Sequence, residues 1–190
     1  MMTLGVIADT HIPDREPALP PAALEVFRRA QVDAILHAGD VVHPRVLRTL
    51  ETLAPVYAVR GNRDLWLLPH LPSRWQQRWE GVSLGMCHGH GTLWQYLHDK
   101  WTHLVHGIPY KRFERRALAT FPQADVVVFG HIHRPVCRRV GRQLLCNPGS
   151  PTVPFPPSTT PATVALLFLE EGRAWGQIVP LEPASSAVSG

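Results

Sequence analysis

Lysine, cysteine and long apolar runs are scarce in this 190-residue chain. Lys100 and Lys111 are its only lysines, so the formal net charge of +4 is carried almost entirely by arginine. Cys87, Cys137 and Cys146 are an odd number with no C-x-x-C spacing, which argues against a disulfide framework and a thiolate zinc site. No apolar run approaches the roughly 20 residues that a membrane-spanning helix needs. The apolar start lacks a cationic flank and meets Asp9 too soon to be the core of a signal peptide. The expectation is a soluble cytoplasmic protein with no membrane partner. Its 45% hydrophobic share is that of a globular fold, and its length suits one domain rather than two. That domain is expected over residues 1–183, with a small, polar, mobile tail at 184–190.

Residues 3–8 are an apolar run ending at Asp9, the pattern of a buried parallel strand. Leu24, Phe27 and Ala30 fall at helical spacing behind prolines that suit a helix start, predicting a helix over 22–30. A second run, 33–37, leads to Gly39-Asp40. Val46, Leu47, Leu50 and Leu53 then mark an amphipathic helix from near Pro44. A third strand, 56–59, leads to Gly61-Asn62. This alternation predicts an α/β sheet built from crossover units. After an irregular stretch at 65–72, residues 75–79 and 82–88 read as a hairpin around Glu80-Gly81. A helical pattern over 92–120 breaks at Gly107 and Pro109. Strands return at 125–129, at 136–146 as a hairpin, and at 163–169 paired with 175–181. If Gly141-Arg142 is a two-residue turn, Val140 faces Gln143 and Cys137 lands opposite Cys146; a reducing cytosol favours free thiols there. Six prolines between 148 and 161 preclude regular structure in that segment.

Residues of metal-ligand type stand directly behind the strands: Asp9 and His11, Asp40, Asn62 with Arg63 and Asp64, His88 with His90, and His131 with His133. In an open α/β sheet, sites form beyond the carboxyl ends of strands, where groups distant in sequence converge. A mixture of imidazole, carboxylate and amide suits a borderline divalent transition metal; magnesium and calcium favour oxygen, and structural zinc favours thiolate. Asp9, His11, Asp40, Asn62, His88, His131 and His133 are too many for one tetrahedral ion. They are about right for two ions sharing a bridging carboxylate. Any one of these pieces is common by chance, but five such groups in order, each behind an apolar run, are not.

The order and spelling of these groups resemble the calcineurin-like metallophosphoesterase superfamily. The short length and Asn147-Pro148-Gly149-Ser150 resemble its small bacterial and archaeal phosphodiesterase subfamily, related to the eukaryotic retromer subunit Vps29. The resemblance runs from residue 4 to about 150. It implies an α/β fold, a two-sheet β-sandwich flanked by helices in four αββα layers. It also implies two divalent transition-metal ions at one end, manganese foremost, with nickel, iron or zinc as alternatives. By position, Asp9, His11, Asp40 and His133 would hold the first ion, Asp40 would bridge, and Asn62, His88 and His131 would hold the second. Asn147 to Ser150 would shape the loop beside them. The implied function is hydrolysis of phosphodiester bonds by a metal-bridging hydroxide, on a small phosphate ester such as a nucleotide, which the mild basic excess fits. The alternatives are a phosphomonoesterase or nucleotide hydrolase with the same site, and a non-catalytic Vps29-like scaffold.

Asn62 is expected to fix phosphate and metal together, and Asp64 either to orient a histidine ligand or to cap the loop that follows it. Arg63 departs from the family pattern, which places a histidine or often a cysteine there. Arginine cannot be a general acid at neutral pH but can stabilise phosphoryl charge, which leaves His90 as the candidate to protonate the leaving group. Its other reading is a histidine that lies beside the site without acting. Residues 94–116, rich in Trp94, Tyr96, Trp101 and Tyr110, are either a substrate cap or a helical pair packed inward or against a second copy in a homo-oligomer. Lys111, Arg112, Arg115 and Arg116 read as a solvated helix face, and no segment reads as a nucleic-acid module.

Overall fold

The computed structural model describes residues 1–91, 94, 110–156 and 159–181. The helical expectation for 92–109, Trp94 excepted, and the tail 184–190 fall outside them. Strands β1 (Met2–Ile7), β2 (Ala34–His37) and β3 (Val56–Ala58) run parallel. Helices α1 (Pro21–Arg29) and α2 (Arg45–Glu51) form the crossovers between them, and Pro21 opens α1 at a position where a missing N–H costs nothing. Strands β9 (Thr163–Glu170) and β10 (Arg173–Pro180) extend this sheet antiparallel, in the order β10-β9-β1-β2-β3.

The second sheet contains β4 (Arg74–Trp79), β5 (Val82–Cys87), β6 (Val126–Phe129), β7 (Val136–Val140) and β8 (Gln143–Asn147). Their order is β4-β5-β6-β8-β7, and α3 (Tyr110–Thr120) lies against it. In the β7–β8 hairpin Val140 pairs with Gln143 and Cys137 with Cys146, and both thiols are free. Among the described residues, 148–161 carries no strand or helix. No helix among them is long and apolar enough to cross a membrane.

The layers follow from the two-residue period of the strands. Leu4, Val6, Leu36, Val126, Val128, Leu144 and Cys146 point between the sheets and form one core with Leu84, Met86 and Leu167. The alternate residues Ile7 and Ile35 face α1 and α2, meeting Phe27, Val46 and Leu50. Val127, Phe129 and Leu145 face α3, meeting Phe113, Ala117 and Phe121. The result is helix, sheet, sheet, helix. Strands β1, β2 and β6 are buried on both faces, apart from Met2 at the start of β1, which is why they read as continuous apolar runs rather than alternating ones. Gly5 is required where Phe27 crosses β1, because a Cβ there would come within 2.9 Å of the ring.

Candidate metal centre

The carboxyl ends of β1, β2, β3, β5 and β6 carry the ligand-type residues, and backbone bonds knit the loops that follow them. Asp9 N–H donates to the Gly39 carbonyl, His11 N–H to that of Asp40, and Gly130 N–H to that of His88. Turning each chain so sharply places Asp9, His11, Asp40, His131 and His133 in the left-handed region, with φ between 47° and 73°. That conformation is uncommon for residues with a Cβ and costs on the order of 1–3 kcal/mol each, so a cluster of five marks a functional site. Gly61 lies so close to this site that a Cβ would meet Asp40 Oδ1 at 2.1 Å.

The side chains converge in two groups that share carboxylates. His11 Nε2 lies 3.7 Å from Asp40 Oδ2, and His133 Nε2 3.6 Å from Asp9 Oδ1. On the other side His88 Nε2 is 3.5 Å from Asp40 Oδ1 and 3.1 Å from Asn62 Oδ1, which is also 3.1 Å from His131 Nδ1. Asp9, His11 and His133 form one cluster able to hold a cation, and Asp9, Asp40 and His88 another. All seven expected ligands therefore meet, and Asp40 turns one oxygen to each side. Asp9 contributes to both clusters, so it too stands between the two sides.

The donors fit a cation better than they fit one another. His88 Nδ1 donates to the Ala38 carbonyl at 2.8 Å and His133 Nδ1 to that of Val153 at 2.6 Å, leaving both Nε2 atoms aimed inward. His11 and His133 present Nε2 to Nε2 at 3.2 Å with stacked rings. That spacing is close to the roughly 3.4 Å between nitrogens on one tetrahedral ion with bonds of about 2.1 Å. Electrostatics agree. Burial pushes the Asp9 carboxyl up to about 6 against the pull of His133 and His88, and it pushes His11 down to about 4. Burial also opposes the His88 imidazolium, yet the Asp40 and Asp9 carboxylates hold its pKa up to about 10. The two carboxylates thus favour positive charge at this position, as the donors of a cation site do.

Asp64 is wholly buried and supports this geometry from behind. Its Oδ2 accepts from the N–H groups of Asp40 at 2.9 Å and Gly61 at 2.7 Å, and its Oδ1 from that of Val42 at 2.7 Å. Among the described residues it has no hydrogen bond to a histidine; it pins the loop of Asp40 to the loop of Asn62. Asn147 Nδ2 donates to the Gly130 carbonyl, and Ser150 Oγ to that of Asp9, so this loop braces the His131 and Asp9 turns.

A cleft of about 190 Å³ opens over the centre, lined by Asp40, Asn62, Arg63, His131 and His133, with Arg15 and Val153 in addition. Arg63 pairs with Asp14, and its backbone N–H donates to Asp40 Oδ1 at 2.9 Å. His90 packs beside the centre, its ring 5.3 Å from that of His88 and 6.3 Å from that of His131; it does not line the cleft, and burial pushes its pKa down to about 4. Of the stretch 94–116, Trp94 is exposed and Tyr110 lies under the guanidinium of Arg134. Arg15, Thr152, whose hydroxyl donates to the Thr10 carbonyl at 2.8 Å, and the Val153 carbonyl carry no motif in the sequence. Arg15 is legible only as a cation four residues past His11, and a carbonyl is not legible at all.

Comparison with known proteins follows the same lines. A family model, the calcineurin-like phosphoesterase superfamily domain, matches residues 2–172. A probable metallophosphoesterase of Methanothermobacter thermautotrophicus is 40% identical over 156 residues, covering 80% of this chain and 79% of that protein. The phosphodiesterase YfcE of Escherichia coli is 30% identical over 189 residues, covering 88% of each. Among solved structures, Vps29 of Chaetomium thermophilum superposes with a TM-score of 0.70 at 19% identity, covering 96% of this chain and 98% of that one. Zinc-complexed Vps29 of Entamoeba histolytica gives 0.64 at 21%, covering 95% and 100%.

Two outcomes follow from the charges and the brace. Asp64→Ala strands three backbone donors and should cost on the order of 3 kcal/mol in denaturant unfolding and about tenfold or more in manganese affinity; a change under about 0.5 kcal/mol would contradict the bracing role. The second concerns protons. The pKa of His88 is raised from 6.5 to about 10, so its charged form stabilises the metal-free fold fully below pH 6.5, and this is lost as pH rises through 10. A ligand must be neutral, so manganese binding at pH 8 should release about one proton per chain, and more below pH 6, where Asp9 is protonated too. Calorimetry in buffers of different ionisation enthalpy reads this directly, and no release at pH 8 would remove His88 from the ligand set.

Proposed function

The chain belongs to the calcineurin-like phosphoesterase superfamily, and from that membership we propose that it hydrolyses phosphodiester bonds at two divalent transition-metal ions, manganese foremost. The observation that carries this reading is Asp40, whose two carboxylate oxygens face separate donor groups, His11 on one side and His88 on the other. Asp9, His11, Asp40 and His133 would hold one ion, and Asn62, His88 and His131 the other, with Asp40 common to both. Ions bound so supply an activated water and neutralise charge on a phosphoryl group undergoing in-line attack.

The chain's own residues do the rest. Asn62 touches His88 and His131 through Oδ1, so its Nδ2 is the end left to donate to a phosphate oxygen. Arg63 and Arg15 line the cleft and place fixed positive charge where an anion must enter. The pairing of Arg63 with Asp14 holds its guanidinium at that rim. Neither arginine can protonate a leaving group, and His90 stands outside the cleft, so esters with good leaving groups are the favoured substrates. The backbone supports Asp64 and the loop of Asn147 to Ser150 provide keep these side chains in place before substrate arrives, which lowers the ordering cost in the transition state.

Bis-p-nitrophenyl phosphate, a diester with good leaving groups, tests the reading. Metal-stripped protein should be inactive and manganese should restore turnover. Asn62→Ala should lower kcat/KM by about 100-fold, and p-nitrophenyl phosphate, the matching monoester, should be the poorer substrate. Activity indifferent to chelation would refute the metal mechanism. Bound manganese without turnover on any ester would make the protein a scaffold.

A further inference from the structure

A second and larger cavity, of about 990 Å³, adjoins the centre at His88 and His90. Arg74 from β4 and Arg112, Arg115 and Arg116 from α3 line it, and no carboxylate does so among the described residues. Helix α3 is two-faced: Phe113 and Ala117 pack on the second sheet, while the arginines, three and four residues apart, share the face toward the cavity. Lys111, Arg112 and Arg115 are exposed, as expected of a solvated face, and Arg112 and Arg115 with Arg116 also line the cavity. Arg116 donates to the carbonyls of Gly89 and His90 at 3.2 Å each, which ties α3 to the turn behind β5 that follows His88.

Some arginines elsewhere in the molecule are matched to acceptors, Arg28 and Arg29 to Glu25, Arg138 to Glu114, Arg45 to the Pro17 carbonyl and Arg60 to that of Pro69, while others such as Arg48 and Arg78 stand singly on the surface outside any such cluster. The guanidinium groups of Arg74 and Arg115 have no hydrogen bond or ion pair among the described residues. Like charges brought together around a concave surface repel, and a low-dielectric wall focuses their field into the cavity. Guanidinium forks are shaped to take phosphate oxygens two at a time. The cavity meets the centre at His88, which touches Asp40 and Asn62 on the cleft side.

We propose that this cavity receives a second phosphate of the substrate, one that is not cut, so that phosphodiesters bearing an additional phosphate are selected over those without one. The assignment rests on the phosphodiesterase reading and extends it to a substrate class. Arg74 and Arg115 are the specificity residues; they grip the remote phosphate and do not touch the reacting atoms.

Calorimetry on manganese-loaded protein, with thymidine 3′,5′-bisphosphate and thymidine 5′-monophosphate as probes, measures the effect of one added phosphate. The bisphosphate should bind about tenfold tighter to the unaltered protein. The ratio should collapse to within about twofold in Arg74→Ala/Arg115→Ala and survive in Arg48→Ala/Arg78→Ala, which removes the same charge from outside the cavity. Circular dichroism confirms that each variant is folded. A ratio near one in the unaltered protein, or a ratio unchanged by the first pair of substitutions, overturns the proposal. Turnover of bis-p-nitrophenyl phosphate, which has no second phosphate, reports separately on the phosphodiesterase reading. Turnover with a ratio near one discards the cavity and keeps the enzyme. A full ratio without turnover discards substrate selection and leaves an anion site.

Discussion

Asp9 and Asp40 stand side by side out of water, 0% and 2% exposed, where an uncompensated carboxylate costs several kcal/mol. The surrounding structure offsets that cost in pieces. The backbone N–H of His131 donates to both oxygens of Asp9, and that of Arg63 to Asp40. His88, fully enclosed, lies between the two carboxylates, 3.9 Å from Asp9 and 3.5 Å from Asp40. Two carboxylates and several inward-facing imidazole nitrogens form clusters able to hold a cation, which would complete this compensation.

The sandwich is arranged to present this concentration of charge. Parallel strands deliver Asp9, Asp40 and Asn62 at one end of the first sheet, and β5 and β6 deliver His88 and the two later histidines at the matching end of the second. The inter-sheet core of Leu4, Val6, Leu36, Met86 and Val128 holds the two halves of the centre together. Neither sheet alone holds a full ligand set: His133 must cross to Asp9, and His88 to Asp40. The strained left-handed turns behind the strands persist because Asp64, Asn147 and Ser150 bond the backbone on every side. Stability stored in the core is what permits the local strain at the site.

Much of this was legible in the residues, and the parts that were not have a common cause. Buried parallel strands announce themselves as apolar runs, so β1, β2 and β6 and the ligand-type residues behind them could be read directly. Turn chemistry at Gly141-Arg142 was enough to place Cys137 opposite Cys146. Asp64 was harder. A carboxylate one residue past Arg63 has the same spelling whether it orients a histidine or accepts three backbone N–H groups, and only the folded loops decide. His90, two residues past His88, is drawn by sequence toward the same centre, yet the turn at Gly89 carries it out of the metal cleft. The arginine face of α3 has the pattern of a solvated helix and is largely exposed, but that it lines a cavity together with Arg74 of β4, a strand more than thirty residues away, is visible only in the fold.

The central claim, that Asp40 stands between two ions, is tested most directly by anomalous diffraction from crystals of the manganese-loaded protein. The account predicts two peaks about 3.5–4 Å apart, one against Asp9, His11 and His133 and the other against Asn62, His88 and His131, with an Asp40 oxygen on each. A single peak, or two peaks with Asp40 bound to only one of them, would contradict it.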